Sequence, residues 1–170
     1  MDRHAYNVMR GFVNRFRGGQ FEERINAACT EYRRRGVASI DKTPEPMKII
    51  RSLGNGRFEA CFKKKAQPDF KGTLKGGRSV VFETKYTEDD RIEDKALLKW
   101  QKDALEEHRR LGADCYVVAS IGKYGVFSIP ISRWNEVQKR KCRKYIKPED
   151  VPECHVFVKN GVLDILNRFS

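Results

Sequence analysis

The apolar residues of this chain fall into helical spacing first and strand spacing after it. Phe21, Ile25, Ala28, Cys29 and Tyr32 recur every three or four residues, and Gly36 follows Arg33-Arg34-Arg35 as a stop, so one amphipathic helix is expected from Gly18. Glu22 and Glu23 fall in its first turn, where the helix dipole favours acids. Val37 to Ile40 reads as a short strand, and Thr43-Pro44-Glu45-Pro46 forces an extended connection into Met47 to Leu53. Gly54-Asn55-Gly56 then turns the chain back through Arg57 to Lys64, giving a hairpin over about 47–65. Gly76-Gly77 marks a second hairpin between residues 69–75 and 78–85.

A helix is expected from about Arg91 to Leu111, with Leu97, Leu98, Trp100, Ala104 and Leu105 as its buried stripe and Gly112 as its stop. Cys115 to Ile121 is a nearly continuous apolar run, the pattern of a central strand covered on both faces. Tyr124 to Ile129 reads as a further strand and Ser132 to Gln138 as a helix capped by Ser132. His155 to Val158 and Val162 to Leu166 form a last hairpin around Asn160-Gly161.

At 170 residues the chain fits one domain with a core of useful size. Charge adds a partner to that picture. The 35 Lys+Arg against 23 Asp+Glu give a formal charge of +12, which favours a polyanion, nucleic acid first. Residues 1–17 read as a basic N-terminal arm, a helix or a mobile segment, with arginines at 3, 10, 15 and 17. The expected hairpin at 47–65 is basic, with Arg51, Arg57 and the run Lys63, Lys64 and Lys65, and a second basic cluster runs from Lys139 to Lys147. Five scattered cysteines without a C-x-x-C pair suit buried thiols in a reducing cytoplasm better than a disulfide framework or a structural zinc site. No run reaches the roughly 18 apolar residues of a membrane span, and the N-terminus lacks the apolar core of a signal peptide.

The candidate chemistry lies in the second hairpin. Strand alternation puts Glu83 and Lys85 on one face and Phe82 and Thr84 on the other, and the Gly-Gly turn brings Asp69 toward Glu83. Two carboxylates and an ammonium then converge, a set that suits Mg²⁺ or Mn²⁺ next to a phosphate or an attacking water. A cross-strand salt bridge on a plain surface strand is the competing reading. Gln101 lies four residues from both Leu97 and Leu105, so its amide points inward. It is either a satisfied core glutamine or a group that reaches the Glu83 and Lys85 face.

An acid at a strand start, Glu-x-Lys on the next strand and an inward glutamine on the following helix resemble the PD-(D/E)xK nuclease superfamily. Within it the chain resembles the RecU family of Holliday junction resolvases. The likeness rests on Gly19-Gln20-Phe21-Glu22-Glu23 with Asn26, Gly36-Val37-Ala38-Ser39-Ile40, Lys42-x-Pro44-x-Pro46-x-x-Ile49, and Asp69-Phe70-Lys71-Gly72 through Phe82-Glu83-Thr84-Lys85-x-Thr87. Gln101, Arg143-Lys144-x-Ile146 and Leu163-Asp164-Ile165 are also similar to family positions. Two features depart from the family: a shorter basic hairpin, and an acidic loop Glu88-Asp89-Asp90 where apolar and aromatic residues are usual.

The resemblance implies an α/β, restriction-endonuclease-like fold: a central mixed β-sheet flanked by helices, with a projecting basic β-hairpin, residues 18–170 forming the single nuclease domain. It implies a Mg²⁺-dependent endodeoxyribonuclease, with Mn²⁺ as substitute, that cuts paired strands of a four-way DNA junction as a homodimer in the cytoplasm, with room for a recombinase contact. Asp69, Glu83, the backbone carbonyl of Thr84 and Glu22 are the implied metal ligands, Glu23 competing with Glu22 for the helix position. Lys85 and Gln101 complete the catalytic set. Arg51, Arg57, Lys63, Lys64, Lys65, Lys71, Arg143 and Lys144 are the expected DNA contacts. The rival functions are a related nuclease acting on flaps or duplex, and a junction-binding module without catalysis.

Overall fold

The computed structural model of the chain describes residues 3–44, 46–62 and 67–166. Helix α1 (Arg3–Arg34) leads into strand β1 (Ala38–Lys42). The helix runs unbroken through Gly18 and Gly19, where the sequence suggested a start, so residues 3–17 are part of the same helix. Gly18 lies against the sheet, its added Cβ falling 4.0 Å from that of Tyr86, and this packing offsets its weak helix propensity, while Gly19 faces open space.

The first hairpin is β2 (Met47–Gly54) with β3 (Arg57–Phe62), turning through positive φ at Gly54, Asn55 and Gly56. Among the described residues it pairs only with itself, and every residue from Met47 to Cys61 is exposed. Lys63, Lys64 and Lys65 lie outside the described residues. The second hairpin is β4 (Phe70–Leu74) with β5 (Ser79–Thr87), closed by Gly76 and Gly77 at φ 95° and 91° as the sequence suggested. It pairs Phe70 with Phe82 and Thr73 with Ser79, and the Phe70 and Phe82 rings stack at 4.8 Å.

The chain continues as β6 (Ile92–Glu93), α2 (Lys99–Arg110), β7 (Asp114–Ile121), β8 (Gly125–Pro130), α3 (Ile131–Lys141), β9 (Tyr145–Ile146), β10 (His155–Val156), β11 (Val158–Lys159) and β12 (Val162–Leu163). Residues 91–98 therefore do not open the α2 helix as expected. Ile92 and Glu93 pair with Ile146 and Tyr145, and the Asp94 carboxylate takes the Trp134 Nε1–H at 3.2 Å, partners too distant in sequence for local periodicity to register. Leu98 consequently sits outside the buried stripe, half exposed at 52%, at the N-terminal boundary of α2. Helix α3 starts one residue before Ser132, with Pro130 rather than Ser132 at the cap position.

The main sheet has the order β1-β4-β5-β7-β8-β10, and only β5 and β7 run parallel, joined by α2 as the crossover. One face packs Val80, Phe82 and Val118 against Phe21, Ile25 and Tyr32 of α1. The other packs Val81, Val117 and Ile129 against Leu105 of α2 and Trp134 and Val137 of α3. Both faces of β5 and β7 are thus buried, which explains the apolar run from Cys115. The result is the mixed sheet between helices that the sequence led one to expect. Cys29, Cys115 and Cys154 are buried thiols, while Cys61 and Cys142 are exposed.

Gly72 fixes the depth at which β1 lies on β4. It pairs with Ile40, and a Cβ there would stand 2.1 Å from the Ser39 carbonyl oxygen and 2.6 Å from Ile40 Cα. Backbone cannot yield as a side chain does. Gly72→Ala should cost about 3 kcal/mol, at the upper end of ordinary overpacking, measured by denaturant unfolding; a loss under about 0.5 kcal/mol would show that the two strands separate freely.

Candidate active site

Pro68 is buried and hands the chain into β4, so Asp69 stands just outside the last regular pair, Phe70 with Phe82. One step further along that register is Glu83. The Asp69 backbone is fixed from the β1 side, its carbonyl accepting from Thr43 N at 2.8 Å. Its Oδ2 accepts from both the Thr84 N–H at 2.8 Å and the Thr84 hydroxyl at 2.9 Å. The carboxylate is therefore clamped at the point where the two strands part.

Glu83 is fully buried, with no exposed surface. Its Oε2 accepts from Gln101 Nε2 at 2.5 Å and lies 3.4 Å from Lys85 Nζ, while its Oε1 is buried with no hydrogen-bond partner. Burial, and next the negative charge of Asp69, push the Glu83 carboxyl up to about 8 against the opposing pull of Lys85. Such a group is expensive to ionise alone and inexpensive to ionise against a cation.

Gln101 settles its own two readings. It sits in the first turn of α2, its Oε1 accepting from the Leu98 N–H at 3.0 Å while its Nε2 donates to Glu83. It is at once a satisfied buried glutamine and the group that reaches the Glu83 face. The helix N-terminus orients the amide, and the amide orients the carboxylate.

Glu22 is elsewhere in this arrangement. Its carboxylate is ion-paired with Lys42 of β1, the partner of Phe70, so it stands beside the strand that carries Asp69. Glu23 is exposed on the neighbouring helix position. Among the described residues no group of three or more His, Cys, Asp or Glu side chains is gathered as for a metal. Asp69 and Glu83 alone form the acidic pair. Their hard oxygens, the orphaned Glu83 Oε1 above all, fit a divalent ion such as Mg²⁺.

The expected DNA contacts are dispersed. Arg51 pairs across the exposed hairpin with Glu59 at 2.8 Å, and Arg57 is exposed at its turn. Lys71 donates to Gln67 Oε1 at 2.6 Å. Arg143 is bound to the buried Asp150 and lies 4.6 Å over the Tyr145 ring, which Arg91 also approaches at 4.7 Å, and Lys144 is exposed next to it. Sequence reasoning missed the Thr84 hydroxyl as the clamp on Asp69, the Lys42 partner of Glu22, and Asp150 as the anchor of the second basic cluster. A hydroxyl residue directly after the strand acid was the one visible signal.

Comparison with known proteins places these residues in a family. The family model described as Recombination protein U matches residues 16–169. The Holliday junction resolvase RecU of Geobacillus thermodenitrificans (strain NG80-2) is 27% identical over 157 residues, covering 85% of this chain and 77% of that protein. The protein of the same name from Geobacillus sp. (strain WCH70) is 32% identical over 108 residues, 60% of this chain and 53% of its own length. Among solved structures, Hjc of Archaeoglobus fulgidus, a Holliday junction resolvase from an archaeal hyperthermophile, aligns with a TM-score of 0.44 at 14% identity over 81% of this chain and 88% of that one.

Proposed function

Since the chain belongs to the Recombination protein U family, we propose that it is a Holliday junction resolvase, an endonuclease that hydrolyses phosphodiesters in paired strands of four-way DNA junctions with Mg²⁺, or Mn²⁺ in its place. The observation that carries the reading is the buried Glu83 carboxyl with one unsatisfied oxygen, set beside Asp69 and Lys85 and held by Gln101. A surface salt bridge explains none of this, because an acid serving only Lys85 would not be fully buried with an oxygen left over.

Asp69 and Glu83 would hold the ion, with the Thr84 carbonyl and Glu22 as further ligands once Lys42 releases the latter. A bound divalent ion supplies Lewis-acid polarisation of the phosphoryl group and acidifies a water molecule. The chain's own residues do the positioning. Gln101 keeps the Glu83 carboxylate in one orientation, Thr84 does the same for Asp69, and Lys85, 17% exposed, presents an ammonium where negative charge builds on the phosphoryl oxygens. The excess of Lys and Arg supplies affinity for the phosphate backbone by counterion release, independent of base sequence. A two-fold dimer would match the near two-fold junction and give paired cuts.

The metal requirement is testable with a labelled synthetic four-way junction. Cleavage should proceed with Mg²⁺ or Mn²⁺ and stop on chelation; undiminished cleavage in chelator would refute the assignment of Asp69 and Glu83 as metal ligands.

A further inference from the structure

A second feature stands at the same end of the sheet, on the other side of β5 from Lys85. It is a pocket of about 300 Å³ lined by Arg17, Gln20, Phe21, Arg24, Tyr86 and Ser120. Its placement follows from topology. Tyr86 and Ser120 are partners in the parallel β5 and β7 register, one step beyond Lys85 and Ala119, and alternation sends their side chains to the α1 face. Arg17, Gln20, Phe21 and Arg24 recur at helical spacing along one face of α1. The same helix carries Glu22 about 7.5 Å further along its axis, five residues at 1.5 Å each.

Two of the lining groups already share an anion. The Glu88 carboxylate, from the acidic loop after β5, is ion-paired with Arg17 and accepts from the Tyr86 hydroxyl at 3.5 Å. The loop is held there by backbone. At Gly122, φ 43°, a Cβ would stand 2.7 Å from the Asp89 carbonyl oxygen and 2.8 Å from that of Glu88, so only a glycine lets the loop settle on the β7 to β8 turn. Arg24 is exposed and has no ion-pair partner among the described residues.

We propose that this pocket binds a DNA phosphate flanking the scissile one, and that Glu88 occupies Arg17 in the free protein as a built-in competitor which that phosphate displaces. This rests on the DNA-nuclease reading above. Guanidinium groups, two hydroxyls and an amide form a donor set suited to a phosphate, and arginine takes carboxylate and phosphate oxygens with the same planar fork. The pair that must open is exposed, Arg17 at 52% and Glu88 at 34%, so the exchange is energetically small. DNA that brings no phosphate to Arg17 leaves the ion pair closed and gains nothing from the pocket. The acidic loop that departs from the family pattern thereby acquires a role in selecting how DNA lies on the site.

The test is a double-mutant cycle in DNA binding, measured by fluorescence anisotropy on a labelled junction in chelator so that nothing is cut. Glu88→Gln should tighten binding about two- to fivefold, the span an exposed ion pair covers, and the gain should vanish in the Arg17→Gln background. Asp90→Asn, the same charge change two residues away, should gain less. An equal gain with and without Arg17 would reduce Glu88 to simple repulsion and overturn the proposal, as would no gain at all. Absence of any DNA binding by the unaltered protein would instead overturn the nuclease reading, and the pocket's role with it.

Discussion

Asp69→Asn should slow Mg²⁺-dependent junction cleavage about a thousandfold or more, while junction affinity measured without cleavage changes less than about threefold. The substitution removes charge and keeps shape. Asparagine can still accept from the Thr84 N–H and hydroxyl through its own oxygen, so the point where β4 and β5 part is preserved. What is lost is one of the two carboxylates proposed to hold the ion. A thousandfold is about 4 kcal/mol of transition-state stabilisation, within what a positioned divalent ion contributes through charge. Single-turnover cleavage beside equilibrium binding separates the two effects. Cleavage within about tenfold of the parent (about 1.4 kcal/mol) would mean that Asp69 is a structural clamp on Thr84 and nothing more.

Glu83→Gln should abolish cleavage to a similar degree and also change how stability responds to pH and metal. In the metal-free chain the Glu83 carboxyl is raised to about 8 by burial, from an ordinary 4.5. Between those values the folded state holds a proton that the unfolded state has released. Folding stability from this group is therefore fully present below about pH 4.5 and is lost as pH rises through about 8, by an amount of a few kcal/mol. A divalent ion held there as proposed would reverse the trend, since the ionised form is the one it would bind. The parent Tm in chelator should fall from pH 6 to pH 9 more steeply than that of Glu83→Gln, and Mg²⁺ should raise the parent Tm more at pH 9 than at pH 6. Equal Mg²⁺ stabilisation of parent and variant would place the ion elsewhere.

These two residues were legible in the sequence because their geometry is local. A Gly-Gly turn and a two-residue period are enough to bring Asp69 to Glu83 and to put Lys85 on the Glu83 face. Gln101 was legible for the same reason, lying on the face of α2 that carries Leu105. The stretch at 91–98 was not, because its conformation is decided by residues 134, 145 and 146 across the fold. Helix α1 likewise ignores its own Gly18 and Gly19, since packing on β5 outweighs local propensity. The role of Thr84 combined both scales: its position after Glu83 is local, but its hydroxyl turns to a residue fifteen positions earlier. Glu22 shows the remaining limit, since its place in the helix face is periodic but its ion pair with Lys42 depends on how β1 lies against α1.

Substrate selection separates a resolvase from a general nuclease, and it is read from initial cleavage rates, with Mg²⁺ and saturating enzyme, on a synthetic four-way junction, a flap and a linear duplex of the same arm sequences. Nicks should appear in two opposed strands of the junction at a rate at least about tenfold above the flap and the duplex, a preference of about 1.4 kcal/mol in the transition state. Equal rates on the linear duplex would contradict it.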